Sequence, residues 1–244
     1  MSPLQILALD TTTRGGSVAV VRDGAVIAER TGDPALTHGQ RLPADIAAVL
    51  DVARLSFNQV DLLAVAAGPG SFTGLRVGIA TVQGLAVARG LEVVPVPTLE
   101  ALARSLETDR PYDAIAAWMD GQRGEIFGAL YDRDGHELVP AIAGHPERVL
   151  EEWHHAGDRS LVFIGDGAVR YRPLLEQRFG AAARVIASGP LAATIGRIAF
   201  AEPRRAVPPN EITPIYVRRP DAELARERRR AATLASPVQN REPE

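Results

Sequence analysis

The residues whose types and spacing suggest chemistry begin with a glycine-rich run at positions 67–78, AGPGSFTGLRVG. This run lies between an apolar segment and a helical pattern. A tight turn at a helix start leaves backbone N–H groups free along the helix axis, and such groups bind anions. Ser71 and Thr73 are also suitable N-cap residues. The run predicts either an anion-binding turn or a capped strand-to-helix turn without a ligand, and local chemistry favours the second.

Composition excludes several other chemistries. The chain has no cysteine, which excludes disulfides, thiolate zinc sites and a cysteine nucleophile. All 27 basic residues are arginine, which excludes a P-loop lysine and a lysine Schiff base. His38 has no second ligand at metal-binding spacing, and the adjacent His154 and His155 would point about 100° apart on a helix. No Gly-x-Ser-x-Gly motif supports a Ser/His/Asp triad.

Charge and hydropathy describe an ordinary globular protein. The net charge is −3 and the pI is near 6.0, so the chain has no basic field for binding nucleic acid unaided. No basic region followed by an apolar run opens the sequence, and no apolar stretch reaches the length of about 18 residues expected of a membrane span. We therefore expect a cytoplasmic protein with no membrane contact.

The elements that position these residues fall into two similar halves. Each half is predicted to run strand, strand, strand, helix, strand, helix, strand, helix. Asp10 and Asp120 each end a first strand, lie 110 positions apart and precede an Arg-Gly pair. An Asp-Gly pair, typical of hairpin turns, follows each of them. The repeat predicts an internal duplication; two unrelated α/β domains are the alternative.

Three antiparallel strands followed by parallel crossovers are the ribonuclease-H-like topology, and two copies face to face make the actin/Hsp70/sugar-kinase-like architecture. We therefore predict an α/β protein with two ribonuclease-H-like domains in tandem, at residues 1–106 and 107–219, the second more eroded. Residues 220–244 are rich in charged residues and end in Pro, Gln, Asn and Glu, which predicts a disordered tail. A basic docking segment is the alternative for this tail.

The helix that starts near residue 75 is apolar on nearly every side. Spacings of three and four place one stripe of residues together: Leu75, Gly78, Ile79, Val82, Leu85 and Ala86. A helix of this kind is either buried on both sides or an interface with another chain. Periodicity alone favours neither interpretation.

Several motifs resemble those of one protein family. The run GPGSFTGLRVG at residues 68–78 is similar to the hallmark of the TsaB/YeaZ family. Residues 7–11, the pair Thr37-His38, the segment 120–127 and the closing residues 214–218 also agree with it. The resemblance extends over about residues 4–218, and the first hundred residues are its most specific part.

This resemblance implies a non-catalytic dimerisation subunit for the transfer of threonylcarbamoyl from threonylcarbamoyl-AMP to N6 of an adenosine next to the anticodon in tRNA. The partners expected from it are a TsaD-like catalytic subunit and a TsaE-like ATPase, with tRNA contacted only through the complex. The resemblance also allows a homodimer of the free chain. It favours an interface on the apolar helix, formed by Phe72, Leu75, Arg76, Gly78, Ile79, Val82, Leu85 and Ala86.

The resemblance also bears on metal binding. TsaD-like enzymes hold a catalytic metal with a His-x-x-x-His motif, and Thr98 and Leu102 stand at the matching positions here. Neither side chain replaces imidazole in a metal site, and Glu100 alone remains of that segment. We therefore expect no metal, no cofactor and no catalytic residue.

The sequence keeps only part of the nucleotide-binding motif found in proteins of this architecture. Nucleotide-binding relatives of this architecture carry Asp-x-Gly-Thr hairpins, whereas Asp10, Thr11, Thr12 and Thr13 keep the aspartate and the hydroxyls without the glycine. The resemblance therefore implies a degenerate cleft, with a weak or partner-dependent nucleotide contact at these four residues as the alternative. The competing function is an ATP-binding kinase-like enzyme or a remnant glycoprotease-type metallopeptidase.

Overall fold

The computed structural model describes residues 3–153, 160–180 and 183–218. The predicted disordered tail lies outside these residues. The described chain forms two five-stranded sheets of identical strand order.

The first sheet is built from a meander and two parallel crossovers. Strands β1 (Gln5–Asp10), β2 (Ser17–Arg22) and β3 (Ala25–Thr31) are antiparallel, and β4 (Leu62–Gly68) and β5 (Val93–Pro97) run parallel to β1, in the order β3-β2-β1-β4-β5. Strands β1 and β4 are buried along their whole length, because helices cover both faces of the sheet there.

Three helices belong to the first half: α1 (His38–Val52), α2 (Phe72–Arg89) and α3 (Thr98–Arg104). Helix α1 starts in a capping box of Thr37 and Gln40. Helices α1 and α2 share one apolar cluster with β1 and β4, so both cover the same face of the sheet.

The second half repeats this arrangement. Strands β6 (Ala114–Gln122), β7 (Glu125–Tyr131), β8 (Glu137–Gly144), β9 (Leu161–Ile164) and β10 (Arg184–Ile186) have the order β10-β9-β6-β7-β8. The meander is again antiparallel and the last two strands again run parallel to the first. The predicted duplication and the tandem ribonuclease-H-like fold are therefore confirmed.

The described residues of the second half include four α-helices: α4 (Pro146–Glu152), α5 (Asp166–Arg170), α6 (Arg172–Phe179) and α7 (Ala192–Ala201). The sequence pattern predicts a single helix over residues 168–179, but the structure divides this region at Tyr171 into α5 and α6. Pro173 explains the division, because proline lacks an N–H and disrupts a helix interior but is accepted in the first turn of a new helix.

The two halves share a core. One apolar cluster joins β1 and β4 of the first sheet to β6 and β7 of the second through α3 and α7. Helix α7 belongs to the second half in sequence but packs on β1 and β2. Its first N–H groups, those of Ala192 and Ala193, donate to Ser17 Oγ and Glu29 Oε1, both at 2.9 Å. A division of the chain at residue 106 stays a proposal, and it does not separate two independent cores.

Residues 206–218, here called the C-terminal strap, return to the first half. Val207 pairs with Val93 at the edge of β5 through two backbone hydrogen bonds of 2.9 and 3.0 Å. Ile212 is buried in the cluster under α1 and α2. Among residues 3–153, 160–180 and 183–218, no helix has both the length and the apolar character needed to cross a membrane.

Candidate functional site

The glycine-rich run forms the turn from β4 into α2, and its glycines allow close packing. Ser71 is the N-cap of α2, and its Oγ accepts from the Gly74 N–H at 3.2 Å. A Cβ added at Gly70, Gly74 or Gly78 would overlap atoms of Thr11 or Thr12. The capped turn is therefore the interpretation that fits the geometry, with glycines at every fourth position making a groove for the loop after β1.

Many hydrogen-bonding groups of the loop after β1 bond to other groups of the same loop. Asp10 is 1% exposed, and its Oδ1 accepts from the backbone N–H and the hydroxyl of Thr12, at 2.8 and 2.5 Å. Thr13 Oγ1 accepts from the Gly16 N–H at 3.1 Å. Burial raises the pKa of Asp10 despite these hydrogen bonds and the nearby Arg41.

Thr11 differs from the other residues predicted to contact a nucleotide. Its side chain is fully buried against Gly78 of α2, and its Oγ1 has no hydrogen-bond partner among the described residues. Thr12 and Thr13 line the cleft between the halves. A nucleotide contact by Thr12 and Thr13 stays a prediction, whereas the Thr11 side chain faces α2 instead of the cleft.

A buried ion pair on α1 holds the loop from the other side. Arg41 and Asp45 are each 4% exposed and pair at 2.5 Å. The Arg41 guanidinium also donates to the Gly15 carbonyl and, at 2.7 Å, to His38 Nδ1. His38 Nδ1 must therefore be unprotonated, and burial together with Arg41 lowers the pKa of His38. This makes His38 and Arg41 positioning residues for the loop.

The second half contributes the opposite wall of the cleft. Asp166 Oδ1, at the start of α5, accepts from the backbone N–H of Asp120 at 2.9 Å. The Asp120 carboxylate in turn pairs with Arg170 at 2.8 Å. Arg218 of the C-terminal strap donates to the Gly121 carbonyl at 2.9 Å. Both aspartates at this wall are thus engaged by neighbouring groups.

Between these walls lies a cleft of about 940 Å³, near the upper end of the range for ligand sites. Its first-half wall carries an apolar rim of Pro34, Ala35, Leu36, Phe72 and Val77. The opposite wall carries the polar residues Asp120, Gln122, Asp166 and Arg218 beside the apolar Met119 and Phe127. The predicted degenerate cleft thus has ample space, although much of its hydrogen-bonding capacity is used within the protein.

The segment that matches the metal-binding motif of TsaD-like enzymes is buried. Thr98 and Leu102 are 0% and 1% exposed and belong to the interior between the sheets. Glu100 accepts two hydrogen bonds from Arg205, each 2.9 Å long, and pairs with Arg104 at 3.1 Å. Glu100 is therefore part of an ion network that joins α3 to the residues after α7.

The interface predicted on α2 needs correction. Five of its eight residues are buried in the chain's own core: Leu75, Gly78, Ile79, Val82 and Ala86. Val82 is 0% exposed, and Leu85 is half-buried. This stripe does not face water in the free chain, because it packs on β1 and β4. Phe72 and Arg76 are exposed.

The opposite side of α2 faces solvent together with that of α1. We call this surface the α1–α2 outer face, and it consists of Pro43, Ala44, Ala47 and Val52 on α1 and Phe72, Arg76, Ala80, Gly84 and Val87 on α2, all exposed. Val52 and Val87 are 69% and 72% exposed. Arg76 is the charged residue in this set, and the exposed Asp51 lies one turn after Ala47 on the same side of α1.

Sequence reasoning missed the Arg41–Asp45 pair and the role of the strap. The sequence did contain evidence for the ion pair, because two opposite charges four residues apart lie beside Leu42 and Ile46 in the apolar stripe of α1. The position of the closing residues 214–218 had no local signal, because it depends on contacts with residues more than 90 positions away.

The two duplicated halves, the cleft between them and the buried core helices define the class of protein. It is a two-domain ribonuclease-H-like protein of the actin and sugar-kinase architecture. An activator of 2-hydroxyisocaproyl-CoA dehydratase from Clostridium difficile shares this fold, with a TM-score of 0.51 at 10% identity over 82% of this chain and 96% of that one.

Closer similarity identifies the family. TsaB of Escherichia coli is 30% identical over 207 residues, which are 76% of this chain and 89% of that protein. The structure of YeaZ from Pseudomonas aeruginosa matches with a TM-score of 0.70 and 28% identity, over 87% of this chain and 99% of that one. The family model described as TsaD, tRNA N6-adenosine threonylcarbamoyltransferase, matches residues 33–222. The chain belongs to the TsaB/YeaZ family within this wider group.

Proposed function

We propose that the chain takes part in the biosynthesis of threonylcarbamoyladenosine in tRNA, as a non-catalytic subunit that pairs with a TsaD-like catalytic subunit and acts with a TsaE-like ATPase. Its relatives in Escherichia coli and Haemophilus influenzae are both named tRNA threonylcarbamoyladenosine biosynthesis protein TsaB, and the second covers 89% of this chain. Transfer chemistry belongs to the partner in this proposal, and tRNA is contacted through the complex.

The shared fold suggests how the two subunits pair. A family model named for the transferase matches residues 33–222 of this chain, which include α1 and α2. Two chains of the same fold present equivalent helices, so they can associate about a pseudo-twofold axis as identical subunits do about a true one. The same surface would serve a homodimer of the free chain.

The observation that carries the pairing is the α1–α2 outer face. Of the nine large apolar side chains exposed in the described residues, Val52, Phe72 and Val87 belong to it. A Cβ at Gly84 would meet no atom within 4 Å, so the helix backbone is open to close approach there. Apolar, weakly charged and small-residue surfaces of this kind are typical of the centre of an interface.

The competing enzyme functions have weaker support. In a kinase-like protein the hydroxyls after β1 would bind phosphate groups, but here Thr12 and Thr13 form internal hydrogen bonds and Thr11 is buried. In a remnant metallopeptidase the positions of Thr98 and Leu102 would line a metal site, but both are buried in the interior.

A reconstitution tests this proposal. The purified chain, a TsaD-like protein, a TsaE-like protein and unmodified tRNA are combined with threonylcarbamoyl-AMP, and each protein is omitted in turn. We expect modification to require this chain and the TsaD-like protein together, and size-exclusion chromatography to show their complex. Modification by this chain alone would refute the non-catalytic role, and unchanged modification in its absence would refute its participation.

A further inference from the structure

The C-terminal strap reaches the start of α2 through an ordered set of contacts. Ile215 donates its N–H to the Ala67 carbonyl at 2.7 Å. The next ring, that of Tyr216, packs on Phe72 with centroids 5.5 Å apart. Arg76 donates from Nε to the Tyr216 hydroxyl at 3.1 Å, and its guanidinium carbon lies 3.9 Å from the Phe72 centroid.

These three side chains form an exposed cluster, although each contacts the others. Phe72 and Tyr216 are 42% and 40% exposed, and Arg76 is exposed as well. Aromatic residues and arginine are the types most enriched among the residues that dominate binding energy at protein interfaces. The cluster continues the α1–α2 outer face, because Phe72, Arg76 and Ala80 follow one another at single turns of α2.

Two residues beyond Tyr216 the strap contacts the second half. Arg218 donates to the Gly121 carbonyl at 2.9 Å and to the Glu125 carboxylate at 2.8 Å, and its guanidinium lies 5.6 Å from the Phe127 ring centroid. Residues 215–218 thus connect the start of α2 to the turn between β6 and β7, past the mouth of the cleft.

We infer that Tyr216 is a partner-binding residue, and that binding of the partner on the α1–α2 outer face is linked to docking of the strap. This inference rests on the proposed function, because the partner is the subunit named there. A partner that binds the chain more tightly when the strap is docked than when it is released shifts the equilibrium toward the docked form. The size of the shift is set by the difference between the two affinities. Partner binding would therefore also hold Arg218 at the cleft.

The cluster has one other candidate use. Exposed aromatic rings beside arginine also stack on unpaired bases of RNA. The charge of the chain favours a protein partner, since a net charge of −3 gives little attraction for a polyanion. The neighbouring outer face is apolar and small, which also suits a protein surface.

The experiment uses the full chain and three variants. Tyr216→Ala removes the ring, Tyr216→Phe keeps the ring and removes the hydroxyl, and Leu138→Ala removes a side chain of similar exposure, 39%, on β8 of the second half. Affinity for the TsaD-like protein is measured by titration calorimetry, and amide hydrogen exchange of residues 212–218 is followed with and without that protein.

We expect Tyr216→Ala to weaken partner binding by about tenfold or more, Tyr216→Phe to bind within about threefold of wild type, and Leu138→Ala to bind normally. Partner binding should slow exchange along the strap in the wild type, and the free Tyr216→Ala chain should exchange faster there. All variants should keep the wild-type circular dichroism spectrum, since residue 216 lies at the surface.

Each contrary result has one meaning. Normal partner binding by Tyr216→Ala, or strap exchange that ignores the partner, would overturn this inference and leave the proposed pairing in place. Absence of binding by the wild type would overturn the pairing itself. Photocrosslinking of each variant to tRNA is measured as well. If Tyr216→Ala binds the partner normally but crosslinks to tRNA more weakly than wild type, the cluster would be assigned to RNA instead.

Discussion

Residues 82 and 84 lie two positions apart on α2 and differ completely in environment, so the same substitution at each gives opposite outcomes. Val82 is 0% exposed in the cluster under α2, whereas a Cβ at Gly84 meets no atom within 4 Å. We predict that Val82→Glu unfolds the chain and that Gly84→Glu preserves the fold but abolishes pairing with the TsaD-like protein.

The magnitudes follow from burial. Val82→Glu loses about 1.5–3 kcal/mol of apolar burial and puts an unpaired charge in the core at a cost of several kcal/mol. This sum is comparable with a typical total stability of about 5–15 kcal/mol. Gly84→Glu instead gains helix propensity, up to about 1 kcal/mol, which corresponds to a rise in Tm of about 2–4 °C for a chain of this size.

The effect on pairing has the opposite pattern. At Gly84 the added carboxylate would be desolvated in the interface, and a cost of about 3 kcal/mol lowers affinity by more than a hundredfold. Thermal melts of the free variants and size-exclusion chromatography with the TsaD-like protein measure both effects. Val169→Glu, which adds the same charge to a 40% exposed position on α5, is the control.

Three results would refute this reasoning. A soluble Val82→Glu variant with a normal Tm would contradict the burial of the stripe. A Gly84→Glu variant that melts well below the wild type would contradict the open surface at residue 84. A Gly84→Glu variant that is stable and pairs normally would move the interface away from the α1–α2 outer face.

Three further predictions concern the loop after β1 and metal binding. Gly78→Ala should destabilise the chain by about 1–3 kcal/mol, since the new Cβ overlaps Thr11 Oγ1, whereas Gly84→Ala should raise Tm; equal melting temperatures would contradict the close packing. Burial raises the pKa of Asp10, so the folded state favours the protonated carboxyl. The stability gained from this preference is complete below the ordinary pKa of 3.8 and is lost as the pH rises through the pKa of the folded state. Asp10→Asn should therefore raise Tm at pH 7 and change it little near pH 3.5, and a lower Tm at pH 7 would contradict this sign. Elemental analysis should find no stoichiometric metal, and about one zinc or iron per chain would contradict this. If Asp132→Asn then removed the metal, its site would be the turn where Asp132, Asp134 and His136 lie within ligand distance of one another.

Much of the fold could be predicted because the two halves repeat the same signals. The predicted strands ending at Asp10 and Asp120, each followed by an Asp-Gly turn, indicated the duplication, and the two sheets have identical order although β6 continues to Gln122. The break between α5 and α6 follows from Pro173, which helical periodicity alone does not reveal.

The site was harder to predict from the sequence, because α2 has no polar face. Helical periodicity identifies the stripe of Val82 but cannot say which side of an all-apolar helix meets the sheet. The buried side is decided by the loop after β1, whose Thr11 fits between Gly74 and Gly78. A long-range fit of this kind leaves no signal in local spacing, so the predicted interface included residues such as Val82 that are buried in the chain's own core.

The docking of α7 on the first sheet has a consequence for synthesis of the chain on the ribosome. Strand β5 ends at Pro97, and α7 begins at Ala192, 95 residues later. At translation rates of about 5–20 residues per second, the face of the first sheet covered by α7 waits about 5–20 s for that helix to emerge. The side chains of Ala8 and Val21, which α7 later contacts at Gly196, stay open to solvent during that interval. The first half therefore leaves the ribosome with this apolar face uncovered until the residues of α7 follow.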